Sequence, residues 1–248
     1  MSSSTLAIVI ACISGAVSLA SAFGGERLRQ LGEGARARRE QELAEKNRAA
    51  EASRVIARYR DPLLRSAYDL QSRIYNAYRP GGFRGGRDPE YFRLNTLFLF
   101  AEFLAWLEII RRDIQFLDLG AVEETKMLSR ALQQVQDQIA ATRGSHDELY
   151  LYRGQQRAIG ELMMVPVEGQ TVGGPRYECM GYAAFVAAQN ASAFAHWFTR
   201  LGEAISKVPQ RQPERLVRVQ RALIDLIDFL DPQHERFELN RQRLPEAN

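Results

Sequence analysis

Eighteen consecutive residues near the N-terminus, Leu6 to Phe23 (LAIVIACISGAVSLASAF), carry no charged side chain. As a helix, at about 1.5 Å per residue, they reach about 27 Å, close to the ~30 Å hydrocarbon thickness of a bilayer. A backbone in lipid must satisfy its own hydrogen bonds, so such a stretch can cross only as a helix or within a closed barrel. Ser14 and Ser18 do not veto a helix, because each hydroxyl can bond a carbonyl of the preceding turn. No Lys or Arg precedes the run, and the first two are Arg27 and Arg29. The positive-inside rule therefore puts the N-terminus outside and the rest of the chain in the cytoplasm. A cleaved signal peptide is the rival, with Ala20-Ser21-Ala22 as the small-residue site, but the basic segment such peptides begin with is missing. After cleavage, Cys179 would be the lone thiol of an extracytoplasmic body. Ala11 and Gly15, and Ser14, Ser18 and Ala22, are small residues spaced by four. They could pair two anchors into a homo-oligomer, though small residues are common in membrane helices anyway.

The charge distribution supports this topology. The chain of 248 residues has a net charge of +3, too small an excess to mark a dedicated nucleic-acid binder. Residues 26–60 hold ten Lys/Arg and six Asp/Glu, a net +4, and 1–25 hold none, which leaves −1 for 61–248. The basic excess thus lies beside the apolar run. Arg27, Arg29, Arg36, Arg38 and Arg39 are the residues expected to face anionic lipid headgroups, at ~1 kcal/mol each near the surface. The plainer reading is a solvated stalk whose arginines only set topology. Residues 26–60 read as an exposed helix with pairs such as Glu42–Lys46, without a sustained heptad.

From residue 61 the periodicity is helical. Asp61-Pro62 and Asp88-Pro89 each read as a cap followed by proline in the first turn. Leu94–Ile110 (LNTLFLFAEFLAWLEII) is apolar on nearly every face, which predicts a central core helix. A second membrane span is the alternative. Glu102 and Glu108 oppose it, since an acidic residue at mid-bilayer costs ~2.5–3.5 kcal/mol. Leu128, Leu132, Val135 and Ile139 make one helical stripe, and Leu216, Val219, Leu223, Ile227 and Leu230 make another. A helix is predicted from the Ser145–Glu148 capping box to about Met164, and helical character again over Glu178–Val208. Strand-type alternation is confined to 165–172, where a short hairpin fits. The expected fold is all-α: one N-terminal transmembrane helix (1–25), a basic juxtamembrane helix (26–60), a cytoplasmic helical bundle (61–235) and a flexible tail (236–248).

Few patterns point to chemistry. Two cysteines exclude a disulfide scaffold and a multi-cysteine zinc site. His146, His196 and His234 lie far apart, with no His-x-x-x-His or Glu-x-x-His spacing, so no metal is expected. His196 reads as a packed core or boundary histidine. Cys179 reads as a small buried residue, a lone nucleophile being the weaker alternative. Gly81–Arg87 mixes glycine, arginine and phenylalanine like a short RNA-binding segment, yet it lacks the Gly-Lys-Ser/Thr of a phosphate loop. A flexible interhelical loop is the simpler reading. No catalytic residues and no cofactor are expected. The polar residues that could meet between helices are Glu102, Glu108, Arg153, Arg157, Glu161, Tyr177 and Glu178. Gly154 and Gly160 each cost a helix about 1 kcal/mol, which close packing could offset.

DPLLRSAYDLQSRIYN (61–76), FLAWLEIIRRDIQFLDLG (103–120) and RGQQRAIGELM (153–163) give a layout that resembles uncharacterised actinobacterial-type membrane-anchored helical proteins. The resemblance implies no activity, substrate or catalytic residue. The first expectation is a membrane-tethered interaction or scaffold protein, with a protein partner and anionic lipid. The alternatives are an enzyme or small-ligand receptor with a polar interhelical pocket, and RNA binding through Arg84, Arg87 and the juxtamembrane arginines.

Overall fold

The computed structural model describes residues 38–47, 50, 54, 57–79, 81–82, 88–115, 123–142, 149–168 and 176–245. The chain divides into two units, 1–51 and 52–248. In the first, residues 38–47 are helical and exposed throughout, including Arg38 and Arg39. The apolar run Leu6–Phe23, together with Arg27, Arg29 and Arg36, lies outside the described residues. Among the described residues, no helix is long and apolar enough to cross a membrane.

The second unit is helical apart from one short hairpin. Its helices are α1 (57–78), α2 (Pro89–Gln115), α3 (Glu123–Ala140), α4 (Arg153–Leu162), α5 (Tyr182–Ala188), α6 (Ser192–Ser206), α7 (Val208–Arg211) and α8 (Glu214–Leu230). α2 is the central element, packed by α4, α5 and α6 and by the hairpin, while α3 lies on α8. Phe92, Leu97, Phe100, Phe103, Leu104 and Ile109 are all buried, which explains why α2 is apolar nearly all round. It is a core helix rather than a second span. Asp88 begins it as expected: the Tyr91 N–H donates to Asp88 Oδ1 at 2.8 Å, and Pro89 occupies the first turn. The α8 stripe from Leu216 to Leu230 is buried, as its spacing predicts.

Four boundaries differ from the sequence reading. The Asp61-Pro62 pair does not start a helix, because α1 runs through it from 57. Tyr59 and Leu63 are buried on either side, and Arg60 Nε donates to the Leu230 carbonyl at 2.6 Å. These contacts offset the one backbone bond that Pro62 cannot make. Residues 149–152 are extended rather than helical. Leu149 and Leu151 turn inward, Tyr150 and Tyr152 do not, and α4 starts at Arg153. There the Tyr152 N–H donates to Gln155 Oε1 at 2.9 Å, and Gln155 serves the turn. The hairpin exists, but its second strand lies further along. β1 (Met164–Pro166) pairs antiparallel with β2 (Tyr177–Cys179), with Val165 opposite Glu178. The helical run predicted from Glu178 therefore begins only at α5 and is broken into α5, α6 and α7.

The C-terminal segment is the fourth difference. Residues 236–245, expected to hang free, pack back on α1 and α8, and Leu244 is buried. Asp231 anchors the turn: its carboxylate accepts the N–H groups of Glu235, Arg236 and Phe237 and pairs with Arg241. Gln220 Nε2 then donates to the Gln242 carbonyl at 2.8 Å, while Gln220 Oε1 accepts the Leu244 N–H at 3.0 Å. Phe237 stacks on Tyr68 with ring centroids 4.0 Å apart. The sequence shows only an Arg-rich tail, because Gln220 lies 22 and 24 positions from its partners and the bond from Gln71 Nε2 to the Asn240 carbonyl spans 169.

Candidate polar cleft

Glu108 is buried on α2, with 3% of its side chain exposed. A lone carboxylate there would be costly. Two arginines one turn on, Arg111 and Arg112, resolve this. Arg111 donates from Nε at 2.7 Å and from Nη2 at 2.5 Å, and Arg112 Nε donates at 3.0 Å. Burial pushes the Glu108 carboxyl up, but these charge-assisted bonds outweigh it and hold the group below its ordinary range. Glu108 raises both arginines above their ordinary value in return.

α4 brings the second layer. Gly160 lies so close to α2 that a Cβ there would sit 2.6 Å from the Leu104 carbonyl oxygen and 3.0 Å from Glu108 Cβ. This close approach carries Arg157 and Glu161 to the Glu108 cluster. Arg112 Nη2 is 3.3 Å from Glu161, and the Arg112 guanidinium lies over the Tyr177 ring at 5.7 Å. Arg157 reaches Glu108 and Glu161 only at 3.9 Å each, beyond hydrogen-bonding distance. Arg153 pairs instead with Asp137 on α3 at 2.6 Å.

Of the polar residues singled out from sequence, Glu108, Arg157, Glu161 and Tyr177 thus form one network, with Arg153 beside it. Glu102 does not join. Six residues before Glu108 on a helix is a rotation of about 240°. Glu102 lines a separate groove with Asp61, Arg65, Trp106, Arg236 and Phe237. There burial and the nearby Asp69 carboxylate push its pKa up to about 7, against the opposing pull of Arg65. Glu178 is exposed on β2 and takes no part. The sequence reading missed Arg111 and Arg112. Their spacing of three and four from Glu108 is the signal that would have found them.

The network forms one wall of a cleft of about 540 Å³ between α2, α3 and α4, within the usual range for small-molecule sites of about 300–1,000 Å³. Leu104, Leu107, Ile110 and Leu132 give it an apolar floor, and Arg111, Arg153 and Arg157 line the polar side. Gln156, 1% exposed, also lines it. Its Nε2 donates to the Gln136 and Leu151 carbonyls at 3.0 and 2.8 Å, while its buried Oε1 has no partner. An unsatisfied buried acceptor costs about 1–3 kcal/mol.

Other candidates have structural explanations. Cys179 has its thiol pushed up to about 12 by burial and by Glu102, the reverse of an activated nucleophile. His196 is exposed, edge-on to Trp197. Gly81 has a φ of +70°, so the glycine loop opens with a turn that favours glycine, while Arg84 and Arg87 lie outside the described residues. Among the described residues, no three His, Cys, Asp or Glu side chains are grouped to hold a metal. No family model matches the chain, and no curated protein or solved structure matches it either.

Proposed function

We propose that the chain is a membrane-tethered helical receptor, whose body takes a small ligand in the cleft between α2, α3 and α4. Leu6–Phe23 is the tether, with the N-terminus outside and the body cytoplasmic, and the arginines from Arg27 to Arg39 lie along anionic lipid. The observation that carries the receptor reading is the cleft itself, about 540 Å³ between three helices with arginines along one side. The reading is tested by hydrogen exchange of the full chain in lipid nanodiscs, with small amphiphiles of each charge type. Protection is expected in peptides covering 104–112, 129–137 and 153–157. If no probe protects these segments, the receptor reading fails. Topology is checked separately. A tag after residue 248 should resist protease on intact cells, and its digestion would refute a cytoplasmic body.

The tether leaves room for a protein partner. Residues 38–47 form an exposed helix with charged side chains along it, the kind of surface that binds lipid or a protein at its rim rather than through an apolar core. Salt-sensitive attachment of the chain to anionic vesicles, beyond that of the apolar anchor alone, supports the lipid role.

A further inference from the structure

We propose that the groove between α1 and α8 is a docking site for an extended basic segment of a protein partner, and that the chain's own residues 239–244 occupy it as a displaceable strap. The segment that fits carries a leucine, with arginine or lysine one and three residues before it. The proposal is independent of the cleft between α2, α3 and α4.

The groove reads main chain. From α1, Tyr68 and Gln71 donate to the carbonyls of Leu239 and Asn240 at 3.3 and 2.9 Å. From α8, Gln220 donates to the Gln242 carbonyl at 2.8 Å and accepts the Leu244 N–H at 3.0 Å, and Arg221 Nη1 donates to the Leu244 carbonyl at 3.1 Å. Contacts to backbone groups hold an extended segment of many sequences, as in strand-adding peptide sites. The receiving side is fixed by the body itself. Gln71 and Gln220 are fully buried. Gln220 Nε2 also donates to Gln71 Oε1 at 3.2 Å, and Gln71 Nε2 donates to Ser72 Oγ at 2.8 Å. Each amide is thus held by one bond within the body and turned to the segment with another. Such preorganisation lowers the cost of binding.

Side chains at alternate positions set the selectivity. Leu244 is buried. Arg241 pairs with Asp228 and Asp231, and Arg243 pairs with Asp225 and Asp228. These three aspartates form an acidic rim that favours a basic residue at each of the two places.

The hold on the strap is partial. Within 236–245, Leu244 is buried, Phe237 and Arg241 are half-buried, and the other residues are exposed. Residues 232–235, which join it to α8, are exposed as well. A segment with so few buried apolar contacts opens before the helices beneath it.

The test is fluorescence anisotropy of a labelled peptide with the sequence of residues 236–245 (RFELNRQRLP), added to the full chain in nanodiscs of neutral lipid. It is expected to bind one to one at up to about 1 mM, the scale of effective concentration that a short linker gives the resident strap. Leu244→Ala in the chain loosens the strap and leaves the groove untouched, so it should tighten peptide binding at least about tenfold as the open fraction rises. A peptide carrying Arg241→Glu and Arg243→Glu should bind at least about tenfold more weakly. Hydrogen exchange needs no variant: in the unaltered chain the Leu244 amide should exchange at least about a hundredfold faster than the amides of 219–227 in α8. If the peptide binds only the Leu244→Ala chain, or the Leu244 amide exchanges as slowly as α8, the strap is a fixed part of the fold and the proposal is overturned. Equal binding of the Glu-substituted peptide would overturn the basic selectivity. If two differently tagged copies of the chain pair through this segment, in a complex that the free peptide dissolves, the occupant is a second copy and the partner is overturned.

Discussion

Two glycines on α4, six residues apart, should respond oppositely to the same substitution. In a helix interior, Gly→Ala gains about 1 kcal/mol from the stiffer backbone. At Gly154 nothing lies within 4 Å of an added Cβ, so the gain is kept. Gly154→Ala should stabilise the protein by about 0.5–1 kcal/mol. At Gly160 the added Cβ would meet the Leu104 carbonyl oxygen at 2.6 Å, where ordinary contact begins at 3.4 Å. α4 must therefore back away from α2 by about 0.8 Å, the difference of those distances, and a backbone carbonyl cannot rotate aside as a side chain can. Overpacking of this kind costs about 1–3 kcal/mol, so after the helix gain Gly160→Ala should lose up to about 2 kcal/mol. The shift would also draw Arg157 off Glu108 and widen the cleft. Thermal unfolding of both variants, in the full chain under one set of conditions, measures the contrast. If Gly160→Ala is stabilised as much as Gly154→Ala, α4 does not approach α2 this closely, and the account of how Arg157 reaches Glu108 is wrong.

The remaining predictions concern charge and the tail. Glu102 has a folded pKa near 7 against an ordinary value of 4.5, so its burial opposes folding once it ionises. Below about 4.5 it is protonated in both states and neutral to stability; as pH rises towards 7 the unfolded state ionises first and stability falls. Glu102→Gln should therefore raise the melting temperature at pH 8 and leave it unchanged at pH 4; an equal effect at both would refute this. Cys179, with its thiol pushed up to about 12 rather than 9, should react with iodoacetamide at pH 8 at least about a hundredfold slower than a free cysteine in a Cys12→Ser background. Rapid labelling would show an exposed thiol. Asp231→Asn strips the charge from a nearly buried pair with Arg241, and losing one partner of such a pair costs about 3 kcal/mol. The segment 236–245 should then be cut quickly by trypsin at Arg241 and Arg243, and unchanged resistance would sink the anchoring role. Burial raises the Asp231 carboxyl, but three backbone N–H groups and Arg241 lower it further, so its support is present above the ordinary 3.8 and lost as acid takes the pH below that value.

Periodicity made the long elements legible. The all-round apolar α2 and the stripe of α8 were visible because burial demands those spacings whatever lies opposite. What local pattern could not show was anything set by a distant partner. Pro62 looks like a helix start until Tyr59 and Leu63 are seen in the core on either side. Residues 149–152 look helical until Leu149 and Leu151 turn inward as an extended pair. The tail looks free until Gln71 on α1 donates to the Asn240 carbonyl and Phe237 stacks on Tyr68. In the site, Glu108, Arg157 and Glu161 were identifiable as polar residues on apolar or close-packed helices. Glu102 was included because both carboxylates interrupt one apolar run, yet six residues of helical rotation turn it to another groove. Arg111 and Arg112 directly follow the apolar run and so look like its polar boundary, although their spacing from Glu108 is that of intrahelical ion pairs. The cleft itself arises from three helices and has no sequence signature.

The most direct measurement is an experimental structure of the full chain. The account predicts an open cleft between α2, α3 and α4, with Glu108 clamped by Arg111 and Arg112. A cleft closed by the protein's own side chains, or Glu108 turned away from both arginines, would contradict it.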